Sequence, residues 1–316
     1  MTAILRPLQV VFIGAGAMGR EHAKAFADIP GVKLAGVWNR SRGNAELFAA
    51  EMGVAKVFDD IDAMHAETDA DLAVMAVYET AISAVAARVL ARPWAVLMEK
   101  PVGLDFADAE KVERLAAGRT VFVGLNRRAM SSTVAALDDL ARRSGPRYIH
   151  VCDQQSQETA RTLGHDFAVI RSWMYANSIH LVDYLTAFGR GEVTGVERLT
   201  PWTPDAPGVV LAKVSFSSGD IGLYEGIWNG PGPWACTVST PERRWEMRPL
   251  EKAVFQNAGE RALNPVEPHP WDQAFKPGFR LQAERVAAAL RGEPSLAPTL
   301  AEAMRTTRLV RAIYGA

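Results

Sequence analysis

LQVVFIGAGAMGREHAKAF, residues 8–26, decides the fold. An apolar run from Leu8 to Ile13 leads straight into Gly14, Gly16 and Gly19, and then into a segment with helical apolar spacing. A GxGxxG placed between strand and helix is the fingerprint of a dinucleotide site. Gly14 permits the tight turn, Gly16 lets the backbone approach a pyrophosphate, and Gly19 allows the helix to pack close on the strand, while free N–H groups at the helix start face the anion. Ala17 and Met18, inside the fingerprint, are counted with these glycines as cofactor-binding residues. A glycine-rich turn without a ligand is the plain alternative, and the βαβ pattern that follows argues against it.

Working outward, apolar runs at Leu8 to Ile13, Val32 to Trp38, Asp71 to Val77, Ala95 to Glu99 and Thr120 to Leu125 read as buried strands. Amphipathic stretches lie between them, at Gly19 to Ile29, Gly43 to Met52, Thr80 to Leu90 and Phe106 to Ala117. That order predicts a Rossmann-type, doubly wound parallel sheet over residues 1–125. From 126 to 316 a second α/β domain is expected, for substrate binding and oligomerisation, with a large, mostly antiparallel open sheet. Its strands are read at Tyr148 to Asp153, Val193 to Leu199, Val209 to Phe216, Ile221 to Trp228 and Ala235 to Val238. Ser217 to Asp220 form a hairpin turn. Helices are expected near Ser132 to Arg143, Val169 to Phe188, Phe279 to Arg291 and Leu300 to Tyr314, the last two free to pack back on the first domain. Asn264 to Pro277 reads as an ordered loop bordering the cleft.

Composition narrows the function classes. A chain of 316 residues, 48% hydrophobic, buries a large core divided between two domains. With 35 Lys plus Arg against 36 Asp plus Glu, it has no charge run suited to nucleic acid or an anionic membrane. Cys152 and Cys236 make neither a disulfide framework nor a zinc ribbon, and the histidines show no HExxH spacing, so no metal site is expected. No targeting or membrane-spanning segment is read, and a reducing cytoplasmic setting is expected.

The acid that would hold a ribose 2′-hydroxyl is missing from the end of the second strand, which runs into Asn39, Arg40 and Ser41. A guanidinium with amide and hydroxyl neighbours suits a 2′-phosphate, so NADP is the expected cofactor, with NAD the alternative. Solvated loop arginines at 40 and 42 are the plainer reading. Val77, at the end of its strand, and Glu99 are further cofactor-side candidates. Lys100, between Glu99 and Pro101, falls at the carboxyl edge of the sheet, where open α/β folds bind ligands. Pro101 fixes its own φ, and a cis bond before it would aim Lys100 into the crevice.

Taken together, GAGAMGREHAKAF at 14–26, MEKPVG at 98–103, VGLNRR at 123–128, NSIHLVDYL at 177–185 and the helical pattern at 276–314 resemble the glucose-fructose oxidoreductase and inositol dehydrogenase family (Gfo/Idh/MocA). The resemblance implies hydride transfer between a nicotinamide and a carbinol carbon of a sugar, keto-sugar or cyclitol. It maps the family's catalytic lysine onto Lys100 and its histidine onto His180. The chemistry agrees, since alcohol oxidation needs a group to take the hydroxyl proton as hydride leaves. Trp173, Asn177, His180 and Tyr184 fall on one helical stripe, and Asn126, Arg127, Asn177, His180 and Tyr184 are the substrate-binding candidates. Trp228 and Trp234 are further aromatic candidates, and Arg127, Arg128 and Arg161 are the loose arginines available to a phosphate group. Asp183 either orients His180 or bonds within the domain interface.

Two departures stand out. Ala176 replaces the acid that many members carry four residues before the histidine, and Val77-Tyr78-Glu79 replaces a proline-containing turn followed by histidine. Ala176 gives footing to a rival reading, a catalytically silent dinucleotide sensor on the same scaffold. Apolar residues on both faces of Val209 to Phe216 suggest a sheet covered twice, hence a homodimer or higher homo-oligomer.

Overall fold

A computed structural model describes residues 6–315. The chain opens as β1 (Leu8–Ile13), α1 (Ala17–Ala27), β2 (Val32–Trp38), α2 (Arg42–Met52), β3 (Val57–Phe58) and α3 (Ile61–Glu67). It continues as β4 (Leu72–Met75), α4 (Ile82–Leu90), β5 (Ala95–Met98), α5 (Phe106–Leu115) and β6 (Val121–Val123). These strands form one parallel six-stranded sheet in the order β3-β2-β1-β4-β5-β6. Strands buried on both faces need continuous apolar sequence, and β4, Leu72-Ala-Val-Met75, is buried at every position. The connections leave β1 toward β2 on one side and β4 on the other, and such a reversal opens a crevice at the carboxyl ends of the strands.

The second half runs α6 (Ser131–Leu140), β7 (Tyr148–Gln155), α7 (Gln157–Thr162), α8 (Phe167–Arg171), α9 (Ile179–Phe188), β8 (Val193–Arg198), β9 (Val209–Phe216) and β10 (Ile221–Trp228). Then come β11 (Ala235–Ser239), β12 (Arg243–Met247), β13 (Ala253–Asn257), β14 (Asn264–Val266), α10 (Pro270–Ala274), α11 (Phe279–Leu290) and α12 (Leu300–Tyr314). Eight strands form a sheet in the order β14-β13-β12-β11-β7-β10-β9-β8, antiparallel throughout except where β7 meets β10. Burial alternates along β7, β9 and β10, so one face packs on α9 through Val210, Ala212, Val214, Tyr224, Leu181 and Leu185. The other face carries Tyr148, Val209 and Ile221 exposed.

Two expectations need correction. The single helix read from Val169 to Phe188 is broken: α8 ends at Arg171, and a π-helical turn spans Met174–Ser178 before α9 begins. A π-turn widens the backbone by one residue, which helical spacing in a sequence does not reveal. The segment 264–277, read as loop, contains the edge strand β14 and the short helix α10, whose His269 side chain caps it by accepting from the Trp271 N–H.

The last two helices return to the parallel sheet. Phe279, Ala283 and Val286 of α11 share a core with Phe12 and Phe26. Leu300, Ala303 and Met304 of α12 join the core of Val96 and Val121, whereas Leu309, Val310 and Ile313 join that of the eight-stranded sheet. A clamp lies at this junction: Arg128 donates two hydrogen bonds to Asp183, at 2.8 and 2.7 Å, and one to Glu302 at 3.1 Å. Asp183, 3% exposed, also accepts from Thr306 at 2.7 Å. Of its two readings, the bond within the interface is the one observed, and Asp183 is spent there rather than on His180.

Candidate active site at the carboxyl edge of the parallel sheet

The turn after β1 is built for an anion. Gly14 has φ +105°, and a Cβ there would lie 2.1 Å from the Ala76 carbonyl oxygen. At Gly19 a Cβ would meet the Gly14 carbonyl at 2.6 Å, so both glycines are demanded by the fold itself. Gly16 is different: it is exposed and a Cβ would meet nothing within 4 Å. Its smallness serves no packing need, and open space there suits a ligand brought close to the backbone. The start of α1 has no side-chain cap and no acidic residue in its first turn, whereas α2, α3, α5 and α12 are capped by Ser41, Asp60, Asp105 and Thr299. The first N–H groups of α1, on Ala17, Met18 and Gly19, are therefore left for an anion.

Neighbouring residues fix this turn. Asn39 Oδ1 accepts from the Ala15 N–H at 3.2 Å, and its Nδ2 donates to the Ser41 carbonyl at 3.0 Å. Ser41 is occupied as the cap of α2. Arg42 is held by Glu46 and Asp59, whereas Arg40 is exposed and makes no ion pair among the described residues. Val77 lies beside the turn, with its Cγ1 3.4 Å from where a Gly14 Cβ would sit.

Further along the edge, Met18, Glu99, Lys100, Asn126, Arg127, Asn177 and His180 line a single cavity of about 280 Å³. Lys276 and Pro277, from the segment read as bordering the cleft, complete its wall together with Phe279 and with Met130 and Glu251, which were not read from the sequence. A larger cavity, about 440 Å³, is lined by Leu8, Pro30, Gly31 and Asp71 at the amino ends of the strands, the wrong edge for this fold's ligands.

Glu99, Lys100, Asn126 and Asn177 are held by hydrogen bonds to neighbouring elements. The His22 ring, fully buried on α1 and packed against Phe279, meets Glu99 at 2.7 Å. Lys100, joined to Pro101 by a cis bond, donates to the Ala176 carbonyl at 2.8 Å, within the π-turn. A backbone oxygen thus stands where the family pattern has an acid. Burial lowers the Lys100 ammonium below its ordinary pKa of 10.5, opposed by Glu99 and aided by Arg127. His180, 7% exposed on α9, is held well below 6.5 by burial and then by Arg127, Lys100 and Lys276, so it is neutral at neutral pH. Its Nδ1 is buried without a hydrogen-bond partner. Asn177 and Trp173 both donate to Gln155 Oε1 at 2.8 Å, and Asn126 donates to the Pro277 carbonyl at 3.0 Å.

Tyr184 is not in the cleft. It is 2% exposed, stacked on Phe188, with its hydroxyl 3.1 Å from Thr133. Although it follows His180 by one turn, it points into the core of the eight-stranded sheet, whose floor lies under that end of α9. Trp228 is likewise a core residue, packed against Trp202 and Tyr314. The one cluster of three potential metal ligands among the described residues, His150, Cys152 and Glu225, lies on the outer face of the same sheet and outside the cleft.

A buried chain lies beneath the π-turn. Tyr224 donates to Asp153 Oδ2 and Gln155 donates to Asp153 Oδ1, both at 2.5 Å, and Gln155 passes the connection to Asn177. Burial pushes the Asp153 carboxyl up to about 6. A raised folded value means that its contribution to stability is full below the ordinary 3.8 and is lost as pH rises through 6. Asp153→Asn, which cannot ionise, is therefore expected to cost more stability at pH ~5 than at pH ~8. Urea unfolding of both proteins at the two pH values checks this, and an equal cost at each would refute it.

This cleft, a glycine turn and a lysine along one edge of a doubly wound sheet, has the architecture of a dinucleotide-binding fold. Residues 8–127 match the family model GFO_IDH_MocA, described as an oxidoreductase family with an NAD-binding Rossmann fold. Solved structures share the fold along the whole chain. A dehydrogenase from Chromobacterium violaceum is 20% identical, with a TM-score of 0.84 over 98% of this chain and 95% of that one. The UDP-N-acetylglucosamine 3-dehydrogenase of Acidithiobacillus ferrooxidans is 19% identical, with a TM-score of 0.78 over 99% and 98%. A levoglucosan dehydrogenase solved with NADH and levoglucosan is 15% identical, with a TM-score of 0.78 over 98% and 97%. No curated protein sequence gives a significant match. Among the described residues no helix is long and apolar enough to cross a membrane.

Proposed function

We propose that the protein transfers a hydride between a nicotinamide and a secondary alcohol or ketone of a sugar, keto-sugar or cyclitol. One observation carries this reading: Lys100, from the end of β5, and His180, from α9, line the same cavity alongside Met18 of the glycine turn. The nicotinamide, when bound, supplies the hydride acceptor or donor. Gly14, Gly16, Ala17, Met18 and Gly19 would hold its diphosphate, with Asn39, Arg40 and Ser41 near the adenosine ribose and Val77, Glu99 and Lys100 on the inner side. In the oxidative direction Lys100, with its lowered pKa, takes the hydroxyl proton at Nζ, and neutral His180 orients the same oxygen. Asn126, Arg127 and Asn177 border the place where the substrate's remaining groups would lie. The test is reduced-nicotinamide absorbance on mixing the protein and NADP or NAD with a panel of polyols and keto-sugars; no turnover with any of them argues for the silent sensor.

NADP is the proposed preference, supported by Arg40 standing free while Arg42 is paired. Arg40→Ala is expected to weaken NADPH binding about tenfold or more, and NADH binding by less than about twofold, since one charge-assisted contact carries that much. Fluorescence titration with both nucleotides decides it, and equal losses would remove the preference.

A homodimer through the outer face of the eight-stranded sheet is also proposed. Exposed Tyr148, Val209 and Ile221 on adjoining strands β7, β9 and β10 favour a second covering for that face. Light scattering is expected to give twice the chain mass, and a monomer at micromolar concentration contradicts it.

A further inference from the structure

Of Arg127, Arg128 and Arg161, the three arginines read from the sequence as available to a substrate phosphate, the structure leaves one unspent. Arg128 is committed to Asp183 and Glu302, and Arg161 pairs with Glu158 on the exposed helix α7. Arg127 lines the cavity of Lys100 and His180, yet its guanidinium makes no hydrogen bond or ion pair among the described residues, and its Nε is buried without a partner. The guanidinium lies over the Trp234 ring, with its central carbon 4.7 Å from the ring centroid. Trp234 is itself anchored by its indole N–H to the Gln154 carbonyl at 2.6 Å, so the ring facing the guanidinium is held in place.

Buried charges are ordinarily paired, because an uncompensated one forfeits hydration without return. A guanidinium over an aromatic ring spends no N–H on that contact, so its donors stay free for a partner. The acids of the cleft do not fill this role: Glu99 is held by His22, and Glu251 is exposed. Lys276, on the same wall, likewise has no ion pair among the described residues, its ammonium lying over the Phe279 ring. The diphosphate of a dinucleotide does not explain Arg127, since the glycine turn for that group follows β1, whereas Arg127 follows β6, with β4 and β5 between those strands.

We propose that the substrate carries a carboxylate, gripped in the fork of Arg127 with Lys276 beside it, so that the cleft takes a sugar acid or hydroxy acid rather than a neutral sugar. This rests on the cleft being the substrate site and narrows its substrate class. A bidentate carboxylate supplies two parallel acceptors in the plane of the guanidinium, which a neutral hydroxymethyl group does not.

The experiment is calorimetric titration of the dinucleotide-loaded protein with D-gluconate and with D-glucitol, which differ only in carboxylate against hydroxymethyl, and with D-lactate. Gluconate is expected to bind about ten- to a hundredfold more tightly than glucitol, the range of one lost charge-assisted contact. Arg127→Met should erase that preference, and Arg127→Lys, which keeps the charge without the fork, should retain part of it. Equal affinity for gluconate and glucitol, no uptake of gluconate or lactate by the unmodified protein, or a preference that survives in Arg127→Met overturns the proposal. Because binding is read without turnover, absent hydride transfer alongside an intact carboxylate preference would strike only the oxidoreductase reading.

Discussion

Lys100→Met is expected to lower kcat by about 10²- to 10⁴-fold, the usual worth of a positioned acid or base, with dinucleotide affinity changed by less than about threefold. Methionine nearly matches the lysine stem in volume, so the Lys100 ammonium and its bond to the Ala176 carbonyl are the main things removed. The pH profile gives a second signature. Burial favours the neutral amine, so oxidation should rise with pH and level off below the ordinary lysine value of 10.5, and that limb should vanish in the variant. Initial rates across pH, with nucleotide binding measured separately, provide both readings. If turnover survives the substitution, Lys100 is not the proton carrier; if neither protein turns over while both bind the dinucleotide, the silent-sensor reading gains.

The second large effect concerns two glycines that look equivalent in the sequence. Gly14→Ala places a Cβ 2.1 Å from the Ala76 carbonyl at φ +105°, so the edge of β4 or the turn itself must move. Backbone strain and overpacking together predict a loss of about 2–5 kcal/mol. Gly16→Ala meets nothing within 4 Å and should leave stability within about 1 kcal/mol, while weakening the dinucleotide by an order of magnitude or more. Urea unfolding and nucleotide titration of the pair separate a glycine needed by the fold from one needed by a ligand. If Gly16→Ala binds as tightly as the parent protein, the diphosphate does not approach the backbone there.

The parallel sheet was readable because its strands are short and apolar and its turn is glycine-marked: β1 and β2 fall at the bounds read from the sequence. β3 was missed because two residues, Val57 and Phe58, carry no periodicity, and α3 behind it is a single short amphipathic piece. The run Arg243-Arg-Trp-Glu-Met247 hides β12, since its outward positions are charged and only Trp245 and Met247 face the core. Lys100, His180, Asn177 and Arg127 were singled out from the sequence, His180 through the family resemblance, and the structure brings the four to one cavity. What their partners would be was not legible. That Ala176 offers its carbonyl to Lys100, that Asp183 belongs to Arg128, and that Tyr184 turns into the core all depend on the π-turn and on pairings across many tens of residues.

The return of α11 and α12 bears on how the cleft opens. The backbone passes between the two sheets after β6 and comes back through α10 and α11, so two straps, not one, join the lobes, and α12 is shared between their interiors. A single linker would let the lobes swing apart like a clamshell, whereas a doubly strapped pair with a common helix slides by small shear steps. A proteolytic nick in either strap would then leave the lobes docked through α12.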